Sequence, residues 1–353
     1  MHGHCRQSPT VHMVPCRKVN EPLCKQVKPR VAIIFTGGTI ASSLSEAFGG
    51  VIPSLDAHDI LDAVPEIRTL ADIKVIEYGK FPGPHMTPER MFEVSQIAQS
   101  LLERPDIAGV VVTHGTDTLE ETAFLLDCTI SNPKPVVVVG AMRNSSEPDW
   151  DGPRNLRDAV EIAVNPEFCG LGTLVVMAGV INAASEVTKA DTEEINTFRS
   201  LDFGPLGRIS NGKPVRYRAP IHRETFPTTH IPSFVPLIKC YAGMDGWIIR
   251  SALERGANGL VVEAMGVGNV PPPAYYAILE ALERTIPVVL VSRCPVGRTE
   301  HIYAYEGAGK HLHEAGVIFA DFLNGQKARI KLLCALGAGY SIAQIRASFE
   351  WLQ

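Results

Sequence analysis

The sequence predicts an α/β protein, with a larger N-terminal α/β domain built on a mainly parallel sheet and a smaller C-terminal α/β domain. Three observations carry this. Short apolar runs rich in β-branched residues recur along the chain, helical patterns fall between them, and one Pro/Gly/Thr/His-rich stretch interrupts the alternation. Continuous β-branched runs, as opposed to alternating ones, are what strands buried on both faces of a parallel sheet require. Strand and helix in alternation then give the α/β class.

Taken in order, the runs are VAIIF (31–35), GVVVT (109–113), VVVVG (136–140), TLVVMA (173–178), GLVVEA (259–264) and PVVLVS (287–292). Thr118 to Ile130 places Leu119, Ala123 and Leu126 on one helical face, and Pro273 to Arg284 is a second helical segment. Residues 205–235 show no sustained apolar period and are expected to connect the domains. The organisation read from this is an extension over 1–29, expected to be disordered, a catalytic domain over 30–215, a linker over 216–235 and a C-terminal domain over 236–353. Two amphipathic helices, KARIKLLCALGAG and SIAQIRASFEWL, close the last domain.

Composition narrows the function. At 353 residues the chain is long enough for about two domains, each expected to bury its own core. Hydrophobic residues make up 45% and charged residues 20%, which excludes disordered and coiled-coil classes. A net charge of -5 offers no cationic surplus for phosphate neutralisation, so no nucleic acid partner is expected. No apolar window is long enough for a membrane span and the start lacks a signal-peptide core, so a cytoplasmic location with no membrane contact is expected. Eight cysteines without a C-x-x-C do not form a disulfide framework, and the five beyond residue 30 read as small buried hydrophobes. Cys5, Cys16 and Cys24 crowd together with His2, His4 and His12, but without paired finger spacing, so no metal site is expected.

Ligand sites of open α/β sheets gather at the carboxyl ends of strands. After VAIIF comes Thr36-Gly37-Gly38-Thr39, whose glycines leave backbone N–H groups open to an anion and whose Thr39 offers a hydroxyl; a tight turn capped by Thr39 is the structural alternative. After GVVVT comes His114-Gly115-Thr116-Asp117, opening a helix with Glu120 and Glu121 in its first turn. Helix capping accounts for Asp117 but not for Thr116. Lys189, in the segment after TLVVMA, is either a solvated lysine or one that stays neutral and acts as base for a threonine.

The motifs TGGTIA (36–41) and HGTDTLEETA (114–123), with VVVVGAMR (136–143), DGPRNL (151–156), EVTKADT (186–192), FRSLDFGPLG (198–207) and GVGN (266–269), make the chain resemble the bacterial-type L-asparaginases, the asparaginase/glutaminase amidohydrolases. The resemblance runs from about residue 30 to the C-terminus. It implies a cofactor-free hydrolase in which Thr39 attacks the side-chain amide carbon, giving a β-aspartyl ester and ammonia, and water then cleaves the ester. It implies that Lys189 and Asp117 flank Thr116, whose hydroxyl places or activates water, and that Asp117 binds the substrate's α-ammonium group. Backbone groups at Gly38, Gly115 and Ala141 would line the substrate, with the N–H groups near Thr116 and Ala141 holding the oxyanion. It further implies a homodimer or homotetramer whose neighbouring C-terminal domain, through the GVGN segment with Asn269, closes the pocket.

Two departures from the family pattern stand out. The family places a tyrosine in the mobile loop after its nucleophile, whereas the loop here reads SSLSEAFGGVIPS with Gly50 near that place. Thr39 then needs another activator: Phe48 or Glu46 of a remodelled loop, or Tyr303, Tyr305 or Glu306 from a neighbouring subunit. Where the family has a serine that grips the α-carboxylate, this chain has Gly83-Pro84-His85, so backbone and His85 are the expected replacements. These departures keep open the same chemistry on another small amide or lactam. A binding protein that has kept the fold, or an ammonia-supplying amidotransferase subunit, is the alternative of a different class.

Overall fold

Residues 28 to 352 are described by the computed structural model; the His/Cys-bearing N-terminal stretch considered for metal lies outside them. The first four apolar runs become the strands Arg30–Gly37, Ile107–Thr113, Val136–Val139 and Thr173–Met177 of an eight-stranded sheet. From one edge the sheet runs Asp72–Phe81, Arg30–Gly37, Ile107–Thr113, Val136–Val139 and Thr173–Met177, all parallel. Three antiparallel strands, Val180–Ala183, Gly207–Ser210 and Lys213–Arg216, complete the other edge. Val110, Val111, Val112, Val137, Val138 and Val139 are wholly buried, as helices on both faces of a parallel sheet demand.

Two strands fall inside the segment expected to be irregular. Gly207–Ser210 and Lys213–Arg216 form a hairpin whose residues are mostly exposed, so no apolar period marks them. The edge strand Asp72–Phe81 also lacks an apolar run, because an edge leaves much of a strand to solvent. The segment after Thr39 is likewise a hairpin, with Ser42–Ser45 paired to Gly50–Pro53.

The last two runs form the strands Leu260–Ala264 and Val288–Ser292 of a separate, smaller four-stranded parallel sheet. Its order follows the chain: Leu237–Lys239, Leu260–Ala264, Val288–Ser292, Ile318–Phe319. Helices Trp247–Glu254 and Pro272–Glu283 cover one face through Ile249, Leu253, Ala274 and Ile278.

The smaller half thus has a core of its own, as expected, but the other face of its sheet joins the larger core. Val261, Val289 and Val291 belong to the same continuous cluster as the large sheet's core, joined through the Gly325–Gly337 helix. That helix packs against Leu119–Thr129 of the larger unit, which is why the latter is buried on nearly all sides. Each fully buried aliphatic side chain there contributes roughly 1.5–3 kcal/mol. A correction concerns cysteine: Cys128, Cys240 and Cys334 are buried, but Cys169 and Cys294 are exposed.

Candidate active site

The order of the large sheet reverses at one point. The chain passes from Arg30–Gly37 to Asp72–Phe81 on one side, and only later to Ile107–Thr113 on the other. A crevice opens outside the carboxyl ends of two strands whose connections leave in opposite directions. The TGGT and HGTD loops are the ends of these two strands, and the Thr36 hydroxyl donates to the Thr113 carbonyl at 2.7 Å, clamping the ends together.

Glycines let three backbones meet there. Gly38 has φ of 80°, in the left-handed region, and a Cβ on it would lie 2.2 Å from the Gly115 nitrogen. A Cβ on Gly115 would in turn lie 2.8 Å from the Gly83 nitrogen. The loops at 38, 83 and 115 are therefore in backbone contact, and only glycine permits it.

Thr39 begins a short 3-10 helix, Thr39–Ala41, with Gly38 as its N-cap, so Thr39 is not a helix cap. It is half-buried. The hydroxyls of Thr36, Ser42 and Thr116 all engage protein partners, whereas among the described residues none engages the Thr39 hydroxyl. The activators considered from the same loop do not reach it: Phe48 is 76% exposed at the hairpin tip and Glu46 is exposed beside it. Gly50 pairs with Ser45 in the hairpin, and a side chain there would meet nothing within 4 Å.

Across the Gly38–Gly115 contact lies the second set. Lys189 Nζ donates to the Thr116 hydroxyl at 3.0 Å and to Asp117 Oδ1 at 2.8 Å. Thr116 is buried, Lys189 is largely covered and Asp117 faces solvent. Asp117 thus does not cap the helix, contrary to expectation. The N-cap of Leu119–Thr129 is Thr118, and its hydroxyl donates instead to the Gly83 carbonyl at 2.7 Å.

Beneath this set, His114 is wholly buried. Its Nδ1 lies 2.7 Å from the Gly115 carbonyl, which can only accept, so Nδ1 carries the proton. Nε2 is then the acceptor for the Thr122 hydroxyl at 2.8 Å. Burial holds the ring's pKa down to about 4, which keeps it neutral as a rigid peg under the loop.

The remaining expected substrate-binding positions separate into two groups. Gly83, Gly115 and Ala141 are buried at the crevice, while Pro84 and His85 are exposed on the 3-10 turn Gly83–His85. The Met142 and Arg143 N–H groups are held by Asp151 at 3.0 and 2.9 Å, and the Gly140 N–H points at Met177 Sδ. Within that turn, among the described residues, Ala141 is the amide left for a ligand. Asn269 is not brought to the crevice by its own chain. It bridges to Met265, and its side chain accepts from the Gly309 N–H at 3.3 Å in the smaller sheet's loops. Tyr303 and Tyr305 are exposed there too, and Glu306 is taken up by the Tyr276 hydroxyl.

Sequence reasoning passed over Glu120, reading it as a first-turn acid that favours the helix dipole. It is 5% exposed, with Thr188, Asn324 and Gln326 donating to its carboxylate. No local signal marks it, since Glu121 beside it in the same first turn is only partly buried.

A switch-point crevice lined by two threonine hydroxyls, a lysine and an aspartate is a candidate ligand site of an α/β protein. Comparison places the chain more closely. Residues 30–222 match the asparaginase N-terminal domain and residues 234–349 the glutaminase/asparaginase C-terminal domain, so the chain belongs to the asparaginase family. It is 42% identical to a probable L-asparaginase of Deinococcus radiodurans, over 91% of this chain and 97% of that one. It is 34% identical to an L-asparaginase of Bacillus licheniformis, over 88% and 96%. The crystal structure of a probable cytoplasmic L-asparaginase from Campylobacter jejuni superposes with a TM-score of 0.81 at 34% identity, covering 91% of this chain and 99% of that one.

Proposed function

We propose that this protein hydrolyses L-asparagine to L-aspartate and ammonia through a threonine ester. Family membership makes it a hydrolase of amide C–N bonds, and relatives named L-asparaginase support asparagine as substrate. The Thr39 oxygen bonds to the side-chain amide carbon, the C–N bond breaks, and ammonia leaves with the hydroxyl's proton. Water then adds to the ester and regenerates Thr39. Thr116, steadied by Lys189, places that water, and Asp117 takes the α-ammonium group. The Ala141 N–H and those beside Thr116 face the oxyanion. The observation that supports this reading is the backbone contact of Gly38, next to Thr39 in the chain, with Gly115, next to Thr116, whose hydroxyl accepts from Lys189.

Thr39→Ala is expected to lower ammonia release by at least about 1,000-fold while substrate still binds, because only the covalent step is lost. Near-normal release would remove the nucleophile assignment. The same assay separates a second reading, hydrolysis of another small amide or lactam. This one is favoured by the absence of a hydroxyl at Gly83-Pro84 and by the Thr118 hydroxyl being spent on Gly83. Release from a simple amide but from neither Asn nor Gln would select it.

A homodimer or homotetramer is part of the proposal, since Asn269, Tyr303 and Tyr305 lie apart from the crevice in their own chain. Light scattering that gives a monomer under assay conditions would contradict it. No described helix is long and apolar enough to cross a membrane. A cytoplasmic site of action is supported by the Campylobacter relative named cytoplasmic, although a Haemophilus influenzae relative at 35% identity is named periplasmic. Cell fractionation decides between them.

A further inference from the structure

One buried carboxylate joins the two parts of the molecule at the segment that carries Lys189. Glu120 Oε1 accepts from the Thr188 hydroxyl at 3.1 Å, from the Lys189 backbone N–H at 3.4 Å and from Gln326 Nε2 at 3.2 Å. Its Oε2 accepts from Asn324 Nδ2 at 3.0 Å. Thr188–Lys189 is only a two-residue strand, paired with Phe198–Arg199, and so has little ladder of its own to hold it. Asn324 and Gln326 stand at the start of the Gly325–Gly337 helix, and Asn324 Oδ1 caps that helix by accepting from the Lys327 N–H at 3.0 Å. Lys327, itself 2% exposed, donates from Nζ to the Val187 carbonyl. Three consecutive residues, 187 to 189, are therefore gripped from one side by Glu120 and by the N-terminal turn of a helix from the smaller sheet's half of the chain.

We propose that Glu120, with Asn324 and Gln326, is a positioning assembly that sets the Lys189 ammonium against Thr116 and Asp117. The smaller half of the chain then serves the crevice of its own subunit through this helix start. Leaving a carboxylate 5% exposed is costly unless its lone pairs are filled, and here four donors fill them. A shift of the short strand by about 1 Å is enough to cost on the order of 100-fold in rate when it carries a reacting group. The inference rests on the reading that Lys189 acts with Thr116.

The test compares Lys189→Met with Glu120→Gln, Glu120→Ala and Gln326→Leu in the full-length protein. Measured are kcat and KM for the amide substrate, the pH profile of kcat, and hydrogen exchange of residues 185–191. Expected is a fall in kcat of about 10-fold for Glu120→Gln and about 100-fold for Glu120→Ala, with a smaller change in KM. The pH profile shifts with them, and exchange rises at 185–191 but not in the two sheets. Gln326→Leu removes one of the four donors at a half-buried site and keeps the assay decisive if Glu120→Ala does not fold. Expected for it is a smaller loss in the same direction. Wild-type kcat and an unmoved pH profile in folded Glu120 variants, with Lys189→Met inactive, would overturn the positioning role and leave the Lys189 reading standing. An active Lys189→Met would remove that reading itself, and the positioning role with it.

Discussion

The molecule holds two sheets with parallel cores of similar Val-rich strands, and only one of them carries the candidate chemistry. In the larger sheet the order reverses between Arg30–Gly37 and Ile107–Thr113, so their following loops diverge and leave a crevice. In the smaller sheet the four strands run in chain order, with no reversal. The hydroxyls at the two strand ends differ accordingly. Ser292, at the end of Val288–Ser292, donates its hydroxyl to the Gly266 carbonyl at 2.6 Å and is spent on its own loop. The Thr39 hydroxyl has no such partner among the described residues. Strand composition locates a sheet, whereas topology locates the place where a side chain can be kept for a ligand.

The comparison can be broken most forcefully at its glycines. Gly38→Ala would drive a Cβ to 2.2 Å from the Gly115 backbone at φ of 80°, so the two loops must separate. Expected is a loss of turnover of about 100-fold or more together with lower thermal stability, and a fully active variant would show that the close approach is incidental. A smaller effect tests the peg beneath the crevice. Because burial holds His114 at about 4 in the fold, below its ordinary 6.5, the unfolded chain binds more protons between these values. Stability is therefore complete above about pH 6.5 and falls as pH drops toward 4, by an upper bound of about 3 kcal/mol from this group. Urea titrations at pH 7 and 4.5 should show this loss in the wild type and a reduced one in His114→Gln. Smallest is the matching change in the other region. Gly256 also has a left-handed φ, of 82°, but a Cβ there meets nothing, so Gly256→Ala should cost about 1 kcal/mol and leave ammonia release untouched. A strong effect on turnover would undo the contrast between the sheets.

Much of this was legible from local pattern. Each of the six apolar runs became a strand, and both hydroxyl-bearing loops were read at strand ends, because burial on both faces leaves a continuous β-branched signature. The hairpin at 207–216 was missed because an exposed edge leaves no such mark. Local rules see only the next turn and offer Asp117 as a cap; its partner Lys189 lies 72 residues away, and the family motifs, not spacing, point to that pairing. Glu120 reads only as a first-turn acid for the same reason. Nothing near it in the chain announces Asn324, 204 residues on.

The amino-acid sequence by itself determined the α/β class, the strands and the loops that bear Thr39 and Thr116, since each follows from residue type and spacing over a few residues. Only the tertiary structure decided that Glu120 is buried among donors from both halves, and that the larger core runs on into the smaller half through the Gly325–Gly337 helix. These are meetings of segments far apart in the chain. They depend on strand order and on which helix covers which face, and packing of that kind leaves no periodicity in any local stretch.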